Sequence, residues 1–247
     1  MMMDHGIYIA MSGAKQAFTK LAMNNNNLSN ASTTGFREDL QQFRTQSVFG
    51  DYFPSRAYAM VERPGYRTEA GSFITTGRNL DAAIKGDGWF AVLAPDGNEN
   101  YTRRGDFKLT PEGALLTGDG HPVIGDGGPI FLPPASELQI AENGRILIKA
   151  AGVQNAQFEV VGQLKLVNGP SQSMNKNNYG LFQFGENIPL ELDPAVVIES
   201  RVLEGSNVNP VAALVNNIEI SRQYETQVKM IAALRSNAQE SVRIMQI

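Results

Sequence analysis

Hydrophobic residues near the N-terminus recur at alternating spacings of four and three. The repeating positions are Ile7, Met11, Ala14, Phe18, Leu21, Asn25 and Leu28. Residues at this spacing share one face of an α-helix, and the pattern is typical of the seam of a coiled coil. We therefore predict a helix from about Asp4 to Ala31, with Asp4 as its N-cap and Gly35 as its stop signal.

The C-terminal region repeats the pattern over a longer stretch. Pro210 suits the first turn of a helix, with Asn209 or Asn207 before it as the cap, and no Pro or Gly occurs from there to about Met245. The hydrophobic residues fall into two phases, and the predicted seam positions are Leu214, Ile218, Val228, Ile231 and Val242. A change of phase lets the apolar residues of one helix face more than one neighbour.

Short apolar stretches alternate with turn residues in the middle of the chain. We predict strands at Trp89–Leu93, Gly144–Ala150 and Phe158–Val167. Asp-Gly is a strong hairpin-turn signal between apolar stretches. It occurs at Asp87-Gly88, Asp96-Gly97, Asp119-Gly120 and Asp126-Gly127. The pattern indicates an all-β domain of many short antiparallel strands.

These segments predict an α+β multidomain chain in four parts. The N-terminal helix, within residues 1–35, pairs with the C-terminal helix of residues 207–247 as a coiled coil, because each has a stripe that it cannot bury alone. The all-β region, residues 80–194, is inserted between them as an outer domain. Residues 36–79, with 195–206, form a mixed and irregular linker region. Within it, Glu69–Thr76 is expected to be extended.

Composition narrows the class of protein. The chain has 247 residues, 42% of them hydrophobic and 19% charged, which is enough apolar material for a buried core. A net charge of −4 argues against a nucleic-acid-binding protein. Cysteine is absent, which excludes disulfides and thiol catalysis. No apolar stretch approaches the roughly 20 residues of a membrane span, and we expect no cleavable secretory signal.

Residues with catalytic or metal-binding chemistry are few and scattered. His5 and His121 lack the spacing of a metal site or a catalytic triad. Asp106 could be paired with Asp87 or Glu112 for glycoside hydrolysis, but these carboxylates lie among turn residues, where solvated side chains are the ordinary interpretation. We therefore predict no catalytic residue, no metal and no cofactor, and expect the chain not to be an enzyme.

Four consecutive asparagines, Asn24 to Asn27, interrupt the N-terminal helix pattern. Asparagine is a poor helix former, so the run costs about 1–2 kcal/mol relative to better formers. Two interpretations remain open. Either the amides set the register of the helix against its neighbours, as a buried asparagine does in a coiled coil, or the helix frays there.

Three blocks of sequence resemble one known family. The first contains Asn26, Asn27, Leu28, Asn30, Thr33, Gly35, Phe36 and Arg37. The second runs from Leu203 to Val211 and contains Gly205, Ser206, Asn207, Val208, Asn209 and Pro210, with Arg222, Tyr224 and Glu225 further along the helix. The third runs from Leu80-Asp81 through Gly86-Asp87-Gly88-Trp89-Phe90 to Tyr101-Thr102-Arg103 and Gly105. Together they resemble the flagellar basal-body rod and hook proteins, and Met3–Ala14 is similar to the start of the proximal-rod members.

The resemblance implies a structural subunit of the flagellar proximal rod, which assembles axially into the drive shaft that transmits motor torque to the hook. A distal-rod protein of the same family is one alternative. A peptidoglycan-acting enzyme and a carbohydrate-binding β module are alternatives outside the family. The blocks are then assembly motifs.

The resemblance also implies partners and a location. The expected partners are proximal and distal rod proteins, copies of this chain and, in transit, the flagellar type III export apparatus, but no nucleic acid. The expected location is the basal-body rod within the periplasm. We expect both ends to be largely disordered in the monomer and to fold on assembly.

Overall fold

An α-helix lies at each end of the described part of the chain. The computed structural model describes residues 4–49, 54–150, 157–170, 173–185 and 188–244. Helix α1 spans Asp4–Ser29 and helix α2 spans Pro210–Ile244. Many short antiparallel strands lie between them, so the described residues form the predicted α+β fold.

Local sequence signals set the helix boundaries. α2 begins at Pro210 because Oδ1 of Asn209 accepts hydrogen bonds from two backbone N–H groups of the first turn, at 3.0 and 3.1 Å. This confirms one of the two predicted caps. α1 ends at Ser29, slightly before the predicted Ala31. Gly35 lies in the turn that follows, where its φ is +66°.

A long antiparallel hairpin follows α1. Its strands are β1, Asp39–Phe49, and β2, Pro54–Tyr66. The prediction of an irregular linker missed these strands. Their sequences lack strict alternation of apolar and polar residues, and Pro64 and Gly65, which are unfavourable in strand interiors, lie inside β2.

The remaining strands are short and pair antiparallel. They are β3 (Phe73–Thr75), β4 (Ala82–Lys85), β5 (Trp89–Leu93), β6 (Glu99–Thr102), β7 (Lys108–Leu109), β8 (Leu115–Leu116), β9 (Ile124–Gly125), β10 (Gly128–Pro129), β11 (Ala135–Ile140), β12 (Arg145–Ala150), β13 (Glu159–Gln163), β14 (Leu166–Val167), β15 (Met174–Lys176), β16 (Phe182–Phe184), β17 (Val197–Ser200) and β18 (Val202–Glu204). Among the described residues the largest sheet has the order β14-β5-β6-β16-β15, and another has the order β11-β12-β13. The other strands pair as β3 with β18, β4 with β17, β7 with β8 and β9 with β10.

The predicted strands correspond closely to the observed ones. β5 has the predicted bounds, β12 occupies the predicted Gly144–Ala150, and the predicted Phe158–Val167 is divided between β13 and β14. β3 lies within Glu69–Thr76, the part of the linker region that was expected to be extended.

The Asp-Gly turns were predicted with one error. Asp96-Gly97 joins β5 to β6, and Asp126-Gly127 joins β9 to β10, each closing an antiparallel pair. Asp119-Gly120 lies in the turn spanned by the bridge between Leu116 and Pro122. Asp87-Gly88 closes no hairpin, because β4 pairs with β17 rather than with the strand that follows it.

The chain divides into two units. Unit 1 consists of Met1–Ala31, Glu38–Arg67 and Val208–Ile247, and unit 2 of Ser32–Arg37 and Thr68–Asn207. The four-part division drawn from the sequence remains a prediction.

Unit 2 has a hydrophobic core built from its short strands. Phe90 and Phe107 pack edge to face, with ring centroids 5.2 Å apart. The other buried core residues are Ala82, Ile84, Leu115, Val123, Ile130, Leu132, Ile140, Ile146, Ile148, Leu164, Leu166, Val196 and Ile198. Short strands are stabilised by such a shared core rather than by their own few hydrogen bonds.

Candidate functional site

The asparagine run of α1 bonds to α2. Asn24 is buried, and its Nδ2 donates to the backbone oxygen of Ala213 and to Oδ1 of Asn217, both at 2.6 Å. Asn217 donates in turn to Oδ1 of Asn25 at 2.8 Å. α1 stays helical through this run. Of the two interpretations, therefore, the amides are used between the helices and the helix does not fray.

Asn27 connects the end of α1 to the start of β1. Its Nδ2 donates to the backbone oxygen of Asp39, and its Oδ1 accepts from the Asp39 N–H, both at 2.9 Å. One amide therefore pairs with both backbone groups of a single residue, as a neighbouring strand would. Asn30 donates to the backbone oxygen of Asn26 at 2.9 Å and so satisfies a carbonyl of the last helical turn.

α1 and α2 pack antiparallel through small residues. A Cβ placed on Gly13 would lie 3.0 Å from Cδ of Gln227, and one on Gly6 would lie 3.3 Å from Cδ1 of Leu234. With Asn24 bonded near the start of α2, these contacts run in opposite directions along the two helices. The buried residues of α1 are Ala10, Ala14, Ala17, Asn24 and Asn27. Small side chains at such positions allow two helix backbones to approach closely.

The predicted seam of larger side chains must be corrected. Phe18 is 63% exposed and Met11 55% exposed, so neither lies between the two helices. Leu214, Ile218 and Val228 are also exposed, Ala14 is buried, and Ile7, Leu21 and Ile231 are half-buried. Val242 falls outside the residues whose side chains are described. A shift of one residue turns a side chain by about 100° around the helix, and the contact uses the adjacent stripe of small residues instead.

A buried ion-pair cluster joins the three sequence blocks within unit 2. Nη2 of Arg37 lies 2.7 Å from Oε1 of Glu204, and Nη1 of Arg103 lies 3.4 Å from Oε2 of the same carboxylate. The three side chains are at most 4% exposed. Each comes from a different block, so the fold brings together residues that are far apart in the sequence.

Arg103 is strongly affected by its burial. Desolvation lowers the pKa of its guanidinium from 12.5 to about 10; Glu204 opposes this shift and Arg37 adds to it. Its Nη2 donates to the backbone oxygen of Gly86 at 2.7 Å, and its guanidinium lies 5.3 Å from the ring centroid of Trp89. Arg103 remains charged at neutral pH, so two buried cations share one carboxylate.

Glycines lie at two close contacts between backbone segments of unit 2. The Gly35 N–H donates to the backbone oxygen of Glu204 at 2.7 Å, and a Cβ on Gly35 would lie 2.5 Å from the backbone of Arg103. A Cβ on Gly71 would overlap the backbone oxygen of Gly205. Residues with a side chain do not fit at these contacts, and the positive φ of Gly35 also favours glycine.

Thr33, Phe36 and Asn207 make further contacts close to the ion-pair cluster of unit 2. The backbone oxygen of Thr33 accepts from the N–H of Phe36 at 3.3 Å, and Nζ of Lys176 lies 4.0 Å from the centroid of the Phe36 ring. Asn207 donates from its backbone to Phe36 at 3.3 Å and from its side chain to the backbone oxygen of Glu69 at 2.8 Å. The first and second blocks therefore meet directly.

The remaining motif residues have varied positions. Leu28 and Ser206 are half-buried, Val208 is buried, and Pro210 is exposed at the start of α2. Arg222, Tyr224 and Glu225 are exposed on α2, between one and about two turns beyond the bonded Asn217. The structure does not bring these last three residues into the bonded groups described above.

The sequence analysis did not select the residues that organise both groups. Asn217 was absent from the prediction. Asn24 entered only as part of the asparagine run, and Arg37, Arg103 and Glu204 entered only as members of the three blocks, with no pairing assigned to them. The sequence did contain one signal for the ion-pair cluster, which is that the three blocks carry residues of opposite charge. Nothing in a single sequence shows which of them pair.

Asp106, the shared acid of the two carboxylate pairs, lies 2.6 Å from Arg104 in an ion pair, and Arg104 also bonds to Asp119 at 2.7 Å. Among the described residues, no three His, Asp or Glu side chains are grouped to hold a metal ion. The helices of the described chain include none long and apolar enough to cross a bilayer.

Three family models match the chain. The model described as flagella basal body rod protein matches residues 7–37, which include most of α1 and the turn after it. The model described as flagellar hook protein FlgE/F/G D1 domain matches residues 83–148 of unit 2. The model described as flagellar basal body rod FlgEFG protein C-terminal matches residues 199–244, from the end of β17 to the end of α2.

Curated proteins match over nearly the whole length. The flagellar basal-body rod protein FlgF of Escherichia coli K12 is 40% identical over 242 residues, covering 96% of each chain. FlgF of Salmonella typhimurium is 41% identical over 241 residues, covering 95% of this chain and 96% of its own. FlgG of Buchnera aphidicola from Acyrthosiphon pisum is 32% identical and covers 92% of this chain and 94% of its own.

The chain belongs to the flagellar basal-body rod protein family. It is a FlgF-like structural subunit of the proximal rod and is not an enzyme, and its location is the basal-body rod. The resemblance stated from the three sequence blocks, including the similarity to the proximal-rod members, is confirmed.

Proposed function

We propose that the subunit assembles axially with copies of itself and with other proximal and distal rod proteins through apolar faces of α1 and α2. The observation that carries this proposal is the exposure of large apolar side chains on both helices. They are Tyr8, Ile9, Met11 and Phe18 of α1 and Val211, Leu214, Val215, Ile218, Tyr224, Val228 and Met230 of α2. Apolar patches of this kind mark surfaces that a partner covers.

In the assembled rod, α1 and α2 form a coiled coil through their small residues. The heptad-like order of buried positions on α1 supports this pairing, because Ala10, Ala14, Ala17, Asn24 and Asn27 step by four, three, seven and three. The stripe of larger residues, displaced by one position, then faces neighbouring subunits. α1 thus supplies two contact faces. The change of phase in the sequence of α2 allows that helix to do the same.

Contacts between different faces of like subunits generate extended assemblies. When the rotation between neighbours does not close a ring, the result is a helical array. An array of interlocked helices is a stiff cylinder, which suits a drive shaft that transmits motor torque to the hook. This shaft crosses the periplasm, and the subunit reaches it in an unfolded form through the flagellar type III export apparatus.

Substitutions on the exposed face test the proposal. Phe18→Ser and Leu214→Ser should change the free energy of unfolding of the monomer by only about 0.5 kcal/mol, because both side chains are exposed there. Rod assembly, counted as basal bodies with complete rods in electron micrographs, should fall strongly. Lys15→Ser, a change at another exposed position of α1, is the matched control and should leave assembly unchanged. Normal rods from both apolar variants would refute the proposed faces.

A further inference from the structure

The chain passes between the two units at four places. It enters unit 2 before Ser32, leaves it after Arg37, returns before Thr68 and leaves again after Asn207. The segments of unit 2 that border these connections are 32–37, the residues from Thr68 onward and the residues up to Asn207. The contacts among these segments within unit 2 decide whether they move together or independently.

Glu204 binds the first of these segments and its neighbours from several sides. Its backbone oxygen accepts from the Gly35 N–H at 2.7 Å. Its Oε1 lies 2.7 Å from Nη2 of Arg37 and accepts from the Gly71 N–H at 3.4 Å. Its Oε2 meets Arg103, which is anchored in the β core. One buried residue thus contacts the segment 32–37, the segment after Thr68 and the core.

Arg37 and Asn207 bring in the remaining connections. Nη1 of Arg37 donates to the backbone oxygens of Thr68, at 2.8 Å, and Glu69. The side chain of Asn207 donates to the backbone oxygen of Glu69 at 2.8 Å. Residues beside three of the connections, Arg37, Thr68 and Asn207, are consequently tied to one cluster in unit 2, and Gly35 ties the segment that follows the first connection.

We propose that Arg37 and Glu204 are positioning residues that clamp the segments of unit 2 bordering the four chain connections into one joint within unit 2. This inference rests on the proposed function, since a joint of this kind matters in a subunit that transmits torque. A guanidinium is suited to the role because its planar fork donates in several directions at once, to the carboxylate on one side and to two carbonyls on another. A lysine would supply the same charge at a single point.

Amide hydrogen exchange on the purified full-length chain tests the clamp directly. The variants are Arg37→Met, Arg37→Lys and Glu204→Gln. In each, exchange at Gly35, Gly71 and Asn207 should accelerate together by about tenfold or more, as expected when hydrogen bonds to a charged group are lost. Glu137→Gln, which breaks the partly exposed ion pair with Lys149 elsewhere in unit 2, is the matched control and should leave these amides unchanged.

Two results would overturn the clamp. Acceleration confined to the amide that loses its own partner would show that the connections are independent. Full restoration of wild-type protection by Arg37→Lys would show that charge alone, not the fork, is required. Exchange at Tyr101 in β6, a fully buried core residue, reports the accompanying loss of global stability separately from the local opening at these three amides. Because the measurement uses the monomer, its result does not depend on whether the helix faces mediate assembly.

Discussion

Asparagine amides near the end of α1 replace backbone partners that the fold would otherwise lack. Asn27 satisfies both backbone groups of Asp39, and Asn24 bonds to a carbonyl of α2. Each residue costs helix propensity, and each recovers that cost through bonds that a better helix former could not make. The asparagine side chains therefore fix the position of α1 against α2 and β1, and the helix continues through them.

Replacing Asn27 by leucine should expose this role. Asn27→Leu leaves the N–H and carbonyl of Asp39 without their partner, and we expect the free energy of unfolding to fall by about 1–3 kcal/mol. Rod assembly should be impaired more than export, because the subunit is proposed to be exported unfolded and export then does not need the bonds between Asn27 and Asp39. Denaturation curves of assembled rods, in which α1 is expected to be ordered, measure the first quantity. Electron microscopy of rods and the amount of exported protein measure the other two. The matched control is Ala22→Leu, at an exposed position of α1 outside the motif, and equal behaviour of the two variants would contradict the assigned role.

The two arginines of the buried cluster should differ in how much each contributes to the free energy of unfolding. Arg37→Met removes a close ion pair and two bonds to carbonyls, which should cost about 3–5 kcal/mol. Arg103→Met should cost less, about 1–3 kcal/mol, because desolvation already outweighs the attraction of Glu204 and lowers the pKa of Arg103 to about 10. Urea unfolding of both variants compares them. A larger loss from Arg103→Met would show that this explanation is wrong.

At the scale of elements, α1 uses two neighbouring stripes for different purposes. The stripe of Ala10, Ala14 and Ala17 is buried within unit 1, whereas Met11 and Phe18 remain exposed. Close packing is set by the small residues and does not need the large ones. A sequence pattern that weights side chains by hydrophobicity selects the large ones, and this is why the predicted seam was displaced.

Two substitutions at the contact between α1 and α2 should change the free energy of unfolding in opposite directions. Gly13→Ala should raise the free energy of unfolding by about 0.5–1 kcal/mol, because alanine favours the helix and the Gln227 side chain near its Cβ is flexible. Ala17→Leu should lower it by about 1–3 kcal/mol, because Ala17 is fully buried and the larger side chain overpacks the contact. Thermal unfolding of rods assembled from each variant decides, because the helices are expected to be ordered there. Stabilisation by Ala17→Leu would mean that the helices do not approach as closely there.

At the scale of the whole molecule, burial is distributed unevenly. Unit 2 has a continuous core of buried aliphatic and aromatic residues. In α2, by contrast, Ala213 is the one buried residue among those whose side chains are described. Helices without a packed face are marginal in water. The β core is therefore expected to be stable in the free subunit, and the helices are expected to gain most of their stability from neighbours.

Hydrogen exchange of the free subunit at low concentration should show this difference. Amides of Ile7–Leu28 and Leu214–Ile244 should exchange rapidly, and those of β5 and β6 slowly, if the two helices become ordered only on assembly, as we expect. Assembled rods should show strong protection of the same helices. Strong protection of both ends in the dilute monomer would disprove the idea.

Elements that are set by residues adjacent in the sequence were predictable. The cap at Asn209, the helix start at Pro210, strand β5 and the turn at Asp96-Gly97 follow from local geometry. The hairpin of β1 and β2 was missed because its strands pair with each other despite a weak local pattern. Pairing energy, which a single strand does not reveal, overrode local preference.

The sequence by itself determined the two terminal helices, the short-stranded middle and the family, because periodicity, turn chemistry and motif spacing are properties of contiguous residues. Only the tertiary structure decided which face of α1 meets α2 and which charges meet in the core of unit 2. Arg37 and Glu204 are far apart in the sequence and are neighbours only after unit 2 has folded. Their pairing depends on three-dimensional proximity and desolvation, and neither is encoded in any local stretch of residues.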